Sequence, residues 1–61
     1  MAFKLMQDFE TTVTESEELS VVATEAASQL GRPVKRRDMF ALFNGGLELP
    51  CGSYLHIDNA E

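Results

Sequence analysis

Four of the chain's five cations, Arg32, Lys35, Arg36 and Arg37, fall within six residues of one another. Guanidinium and ammonium groups clustered in this way suit anions. Lysine and arginine neutralise phosphates, and arginine can pair bidentately with a guanine edge in the major groove. On that reading Arg36 and Arg37 would contact bases or phosphates, with Lys35 and Arg32 on phosphates. The plainer reading is a solvated helix start, balanced by Glu15, Glu17 or Glu25 through surface pairs of little energetic value. The sequence has a single thiol, Cys51, and a single imidazole, His56. Nucleophilic catalysis would need this pair plus an orienting group and an oxyanion site, for which so short a chain hardly provides a pocket. The expectation is no enzymatic activity, with Cys51 a turn residue and His56 a half-exposed strand position. One cysteine and one histidine also fall short of the four ligands of a structural zinc site, so no metal and no cofactor is expected. Gly45-Gly46 with Gly52 lacks the lysine and the strand–loop–helix order of a phosphate loop.

These residues must be positioned by a small scaffold. A chain of 61 residues is one domain at most, and such a fold buries only about 60% of its unfolded surface. A homodimer or another partner could complete its core. With no second cysteine for an internal disulfide, the natural setting is reducing and cytoplasmic. No apolar run is long enough to span a membrane, and the N-terminus lacks a signal-peptide pattern, so a soluble protein with no membrane partner is expected. The net charge of −5 is unevenly spread: residues 1–31 carry Lys4 against six acids, while the bases and acids of 32–61 balance. This acidic background opposes non-specific binding to nucleic acid.

The elements follow from periodicity and punctuation. Residues 1–13 read two ways. Leu5, Phe9 and Val13 at i, i+4 and i+8 suit a helix face, while Phe3, Leu5 and the β-branched Thr11, Thr12 and Val13 favour a strand or arm, which is the expectation here. Thr14-Glu15-Ser16-Glu17 matches a capping box, and Leu19, Val22, Ala23, Ala26 and Leu30 recur at helical spacing up to Gly31, predicting a helix over 17–30. Pro33 breaks it, and a second helix is predicted over 34–44, stopped by Asn44-Gly45-Gly46. Leu47 and Leu49, then Leu55 and Ile57, alternate with polar residues about a Pro50–Ser53 turn, predicting a hairpin over 47–58. The expected fold is a small α+β domain over 1–61. Its expected core is Phe3, Leu5, Leu19, Val22, Ala26, Leu30, Val34, Met39, Leu42, Phe43, Leu49, Leu55 and Ile57.

Helix, tight turn, basic second helix and two-stranded wing follow the winged helix-turn-helix plan. The segments Glu25–Gly31 (EAASQLG), Arg32–Phe43 (RPVKRRDMFALF) and Tyr54–Glu61 (YLHIDNAE) resemble the small phage excisionases and the MerR-like DNA-binding domains related to them. The resemblance covers about 40 of the 61 residues. It implies a non-enzymatic DNA-binding accessory or regulatory protein, working beside a recombinase or as a small repressor, with Arg32, Lys35, Arg36 and Arg37 on the DNA. The chain departs from that pattern in its longer turn and in the lack of arginine or lysine on the wing.

A second class is an acidic interaction module, such as a phage-type inhibitor docking on a host enzyme with a basic surface. Its acids Glu15, Glu17 and Glu18 would meet that surface, with Phe3, Phe9, Phe40 and Tyr54 as aromatic anchors. A third is a double-glycine peptide precursor cleaved after Gly46, which the packed look of the second helix and the strand-like tail both oppose.

Overall fold

Alternation of Phe3 and Leu5 with Lys4 and Met6 produces β1 (Ala2–Gln7), and the β-branched run after it produces β2 (Thr11–Ser16). Three residues, Asp8 to Glu10, join them. Asp8 and Phe9 both adopt positive φ, at 54° and 64°, and the amide of Glu10 donates to the Gln7 carbonyl at 3.2 Å. Two successive positive φ values define the hairpin turn whose twist matches the flanking strands. The computed structural model describes residues 2–60.

The remaining elements are α1 (Leu19–Leu30), α2 (Arg36–Phe43), β3 (Leu47–Glu48) and β4 (Tyr54–Ala60). All four strands join one antiparallel sheet in the order β2-β1-β4-β3. The first and last strands of the sequence are therefore its two interior strands. β1 pairs with β4 along its whole length, from Ala2↔Ala60 to Gln7↔Leu55. The predicted α+β class, two helices and C-terminal hairpin are all present. Their arrangement is a two-layer sandwich: α1 packs on β1 and β2, α2 packs on β3 and β4, and each helix meets strands more closely than it meets the other helix. The C-terminal hairpin is no free wing, because β4 is held on both sides.

The segment 1–13, expected as strand or arm, is a strand, a turn and the start of a second strand; Met1 lies outside the described residues. The first helix begins at Leu19, later than the predicted 17. Pairing of Phe3 with Ser16 draws Thr14 to Ser16 into β2, which removes the predicted capping box. Ser16 instead accepts a hydrogen bond from the Glu18 amide at 3.1 Å, and Glu18 becomes the N-cap residue. Gly31 closes α1 in the left-handed conformation (φ 83°), its amide donating to the Ala27 carbonyl, as the sequence predicts. The second helix is shorter than 34–44 because Lys35 is extended (φ −97°, ψ 174°) after Pro33-Val34. The hairpin reaches Ala60, beyond the predicted 58.

Leu5, Val22, Ala26, Leu30, Leu42, Leu49, Leu55 and Ile57 form the buried core, with Phe3, Val13, Leu19, Val34, Met39 and Leu47 packed at its edge. Val13 reaches this layer through a bulge between its neighbours Thr12 and Thr14, which pair with Met6 and Leu5. Phe43 departs from the expected core. It is 42% exposed and meets Phe3 edge-on, ring centroids 6.3 Å apart, because Leu42 occupies the inward position of α2.

Candidate functional site

The basic cluster is divided by the fold. The guanidinium of Arg32 donates from both terminal nitrogens to the Asp38 carboxylate, Nη1 to Oδ2 at 2.7 Å and Nη2 to Oδ1 at 3.2 Å. Asp38 Oδ2 also accepts from the Lys35 amide at 2.9 Å. Asp38 is buried, at 3% exposure, and these bonds tie the turn after α1 to the first turn of α2. Arg32 is thus half-committed to an internal partner. Lys35, Arg36 and Arg37 stay exposed, and among the described residues none of them enters an ion pair.

The same geometry sets a pH dependence. The Arg32 hydrogen bonds, and then the Lys35 amide, hold the Asp38 carboxyl down to about 2, against an ordinary value of 3.8. A folded pKa below the unfolded one favours folding above the unfolded value, and that contribution disappears as pH falls through the folded value. Asp38 should therefore stabilise the fold fully above about pH 4 and lose that effect towards pH 2. A series of thermal melts from pH 5 to pH 2 checks this: the wild-type Tm should drop more steeply than that of Asp38→Asn. Parallel curves for the two proteins would show that the carboxylate is not responsible.

Two further surfaces emerge. The outward side of α2 carries Arg36, Arg37 and Phe40, with Phe43 at its flank. Phe40 is 71% exposed, an unusual position for an aromatic ring on a short helix whose Leu42 and Asp38 point inward. Helical spacing explains the grouping, since residues three and four apart share a face.

The second surface is the sheet face turned away from the helices. Strand alternation places Lys4 and Met6 of β1, Thr12 and Glu15 of β2, Glu48 of β3, and Tyr54, His56 and Asp58 of β4 on this face. Phe9 folds onto it from the turn, stacking on the His56 ring at 4.4 Å between centroids and 23° between planes. A β-carbon on Gly46 would lie 3.4 Å from the Leu55 carbonyl and the Phe9 ring and 3.5 Å from the Tyr54 ring, so this glycine, at φ 113°, packs against both rings. Asp8 ties the turn to the same strand. Its amide donates to the Tyr54 carbonyl at 2.8 Å, and its carboxylate accepts from the Tyr54 amide at 3.0 Å. His56 Nε2 lies 3.1 Å from Asp58 Oδ2, while Nδ1 is buried with no hydrogen-bond partner. Phe9 (57% exposed) and Tyr54 (41%) remain open to a partner.

The residues that the interaction reading grouped are thereby distributed. Phe9, Tyr54 and Glu15 share the open sheet face, and Phe40 stands on α2. Phe3 is half-buried under the helices, and exposed Glu17 and Glu18 lie in the link to α1. The sequence reading missed Glu48 and Asp58 as members of the face. Their signal was present, since alternation of the tail puts both opposite to Leu47, Leu55 and Ile57.

Cys51 is exposed, and hydrogen bonds from the Ser53 backbone and then its hydroxyl lower its pKa, opposed by partial desolvation and more weakly by the charge of Asp8. The contacts of His56 are with Phe9 and Asp58. An open groove of about 530 Å³ beside the end of α1 is lined by Leu30, Gly31, Arg32, Glu48, Leu49 and Pro50, and neither the thiol nor the imidazole faces it. Among the described residues no helix is long and apolar enough to cross a membrane. Comparison with protein-family models, with curated proteins and with solved structures found no match to this chain.

Proposed function

We propose that this is a non-enzymatic protein-interaction module that uses the helix-free face of its sheet to hold a basic surface of another protein. One observation carries the reading. Phe9 is kept at φ 64°, a conformation costly for a bulky side chain, yet the residue remains 57% exposed on that face, one side of its ring against His56. Burial gives the strain little return, and strained residues cluster at binding sites. Glu48 pairs with Tyr54, and Asp58 and Glu15 stand further along the same face on either side of Lys4, the one Lys or Arg that the described residues place there. Aromatic rings beside carboxylates suit a guanidinium, which stacks on the first and pairs with the second.

The test is anisotropy of a labelled arginine-rich peptide titrated with wild type, Phe9→Gly/Tyr54→Ala and Arg36→Ala/Arg37→Ala. Glycine at position 9 tolerates the positive φ and so removes the ring without disturbing the turn. Loss of two hot-spot rings should weaken binding at least about tenfold, while the arginine variant binds as wild type does. Equal affinity across all three proteins would defeat the proposal, leaving only diffuse attraction to a net charge of −5.

A second reading is DNA binding through α2, in an excisionase-like or repressor-like accessory protein. It is favoured by the joint exposure of Lys35, Arg36 and Arg37 at the start of that helix. It ranks lower because Arg32 is bonded to Asp38 and because the remaining cation, Lys4, lies on the far side of the sheet. With three phosphates neutralised, log K should fall against log salt with a slope of about −3. Absence of duplex binding at low salt would remove it.

A further inference from the structure

We infer that the occupant of the open sheet face can be a second copy of this chain, which seats the outward side of α2 on that face. The inference rests on the reading that the face accepts guanidinium groups, and it names a source for them within the chain itself.

The two surfaces are complementary in charge and in kind. One presents Arg36 and Arg37 one turn before exposed Phe40, and the other presents Glu48 beside Tyr54, exposed Phe9 over His56, and Asp58 and Glu15 further along the same face. In the monomer nothing covers Phe40, and the described residues offer no ion-pair partner to Arg36 or Arg37. Their dimensions also agree. The eight residues of α2 span about 12 Å, and the stretch of β4 from Tyr54 to Asp58 spans about 13 Å. A helix laid along that strand with its first turn at the Tyr54 end would set both arginines near Glu48, which pairs with Tyr54. Phe40 would follow one turn further along, about 5–6 Å on, against the Phe9 ring that stacks on His56.

Topology then dictates the symmetry. α2 lies on one side of the sheet and the receiving face is on the other, so no copy can use the same patch that it engages. The contact is head-to-tail, and it continues from copy to copy unless it closes into a ring. The overall charge of −5 repels at long range, but at about 0.15 M salt charges further apart than about 8 Å are screened and contact pairs persist. The area is small, below the roughly 1,200 Å² of stable complexes, so assembly is expected at concentrations on the order of 0.1–1 mM. At lower concentrations the face stays available to a tighter partner.

Sedimentation equilibrium on four samples decides the question. Wild type should show an average mass rising well above 6.8 kDa with concentration. Arg36→Glu/Arg37→Glu, with its helix face blocked, should remain monomeric, and so should Phe9→Gly/Glu48→Lys, with its sheet face blocked. An equimolar mixture of the two variants should reach twice the monomer mass and stop, because one supplies only the helix and the other only the sheet face. A wild-type protein that stays monomeric at 1 mM overturns the inference, as does a mixture no heavier than its components. Arginine-peptide binding measured on the same wild-type sample separates the two failures. If the peptide binds while wild type is monomeric, the face reading stands and self-docking alone falls; if neither occurs, both fall.

Discussion

Ala26→Asp is expected to abolish the cooperative thermal transition of this domain. Ala26 sits in the middle of α1 with no exposed surface, within the cluster that includes Leu5, Val22, Leu30 and Ile57. The close approach of helix to sheet at this point depends on a side chain of one carbon. Aspartate would bring a carboxylate into that layer with no partner, at a cost of several kcal/mol even after relaxation. A domain of this size has about 3–5 kcal/mol in total, so the substitution exceeds or equals what holds the chain folded. Ser28→Asp, on the exposed side of the same helix, should change stability by less than about 0.5 kcal/mol. Circular-dichroism melts of the three proteins give the comparison. A wild-type transition in Ala26→Asp would mean that α1 does not bury this side.

How much of this was legible beforehand depends on which signal each element carried. α1 and its glycine cap could be read because Leu19, Val22, Ala26 and Leu30 repeat at 3.6 residues, and only Gly31 suits the left-handed position that follows. The tail could be read because Leu55 and Ile57 alternate with Tyr54, His56 and Asp58. The N-terminal hairpin could not be, since its turn is Asp8-Phe9 rather than the asparagine–glycine or aspartate–glycine pair that marks such turns. Missing that turn also moved the helix start, because Thr14 to Ser16 serve equally well as a cap or as a strand and only the partner strand decides. Pairing of β1 with β4 joins residues 48 to 58 positions apart, and no local pattern announces it. The open sheet face was therefore invisible as a unit, and the bulge at Val13 further broke the alternation of β2. Arg32 illustrates the opposite limit: as a residue type it belonged with Lys35, Arg36 and Arg37, and only the three-dimensional position of Asp38 removed it from the group.

Leu5→Ala should destabilise the domain by about 2–5 kcal/mol, enough to leave much of the population unfolded at room temperature. Leu5 is fully buried in interior strand β1, between Thr14 of β2 and Ile57 of β4 on the side covered by both helices. Truncation there removes apolar contacts and leaves a cavity that the ladders on both sides prevent from collapsing. Phe40→Ala removes a larger side chain and should change stability by no more than about 0.5 kcal/mol, since 71% of that residue is already in water. The unequal outcomes, read from urea midpoints at constant m-value, test the division on which the functional reading depends. Leu5 faces the core and contributes to folding, whereas Phe40 faces outward and is free to contribute to binding. If Phe40→Ala fell as far as Leu5→Ala, α2 would have to present its other side to solvent, and the basic-aromatic surface assigned to it would be part of the core.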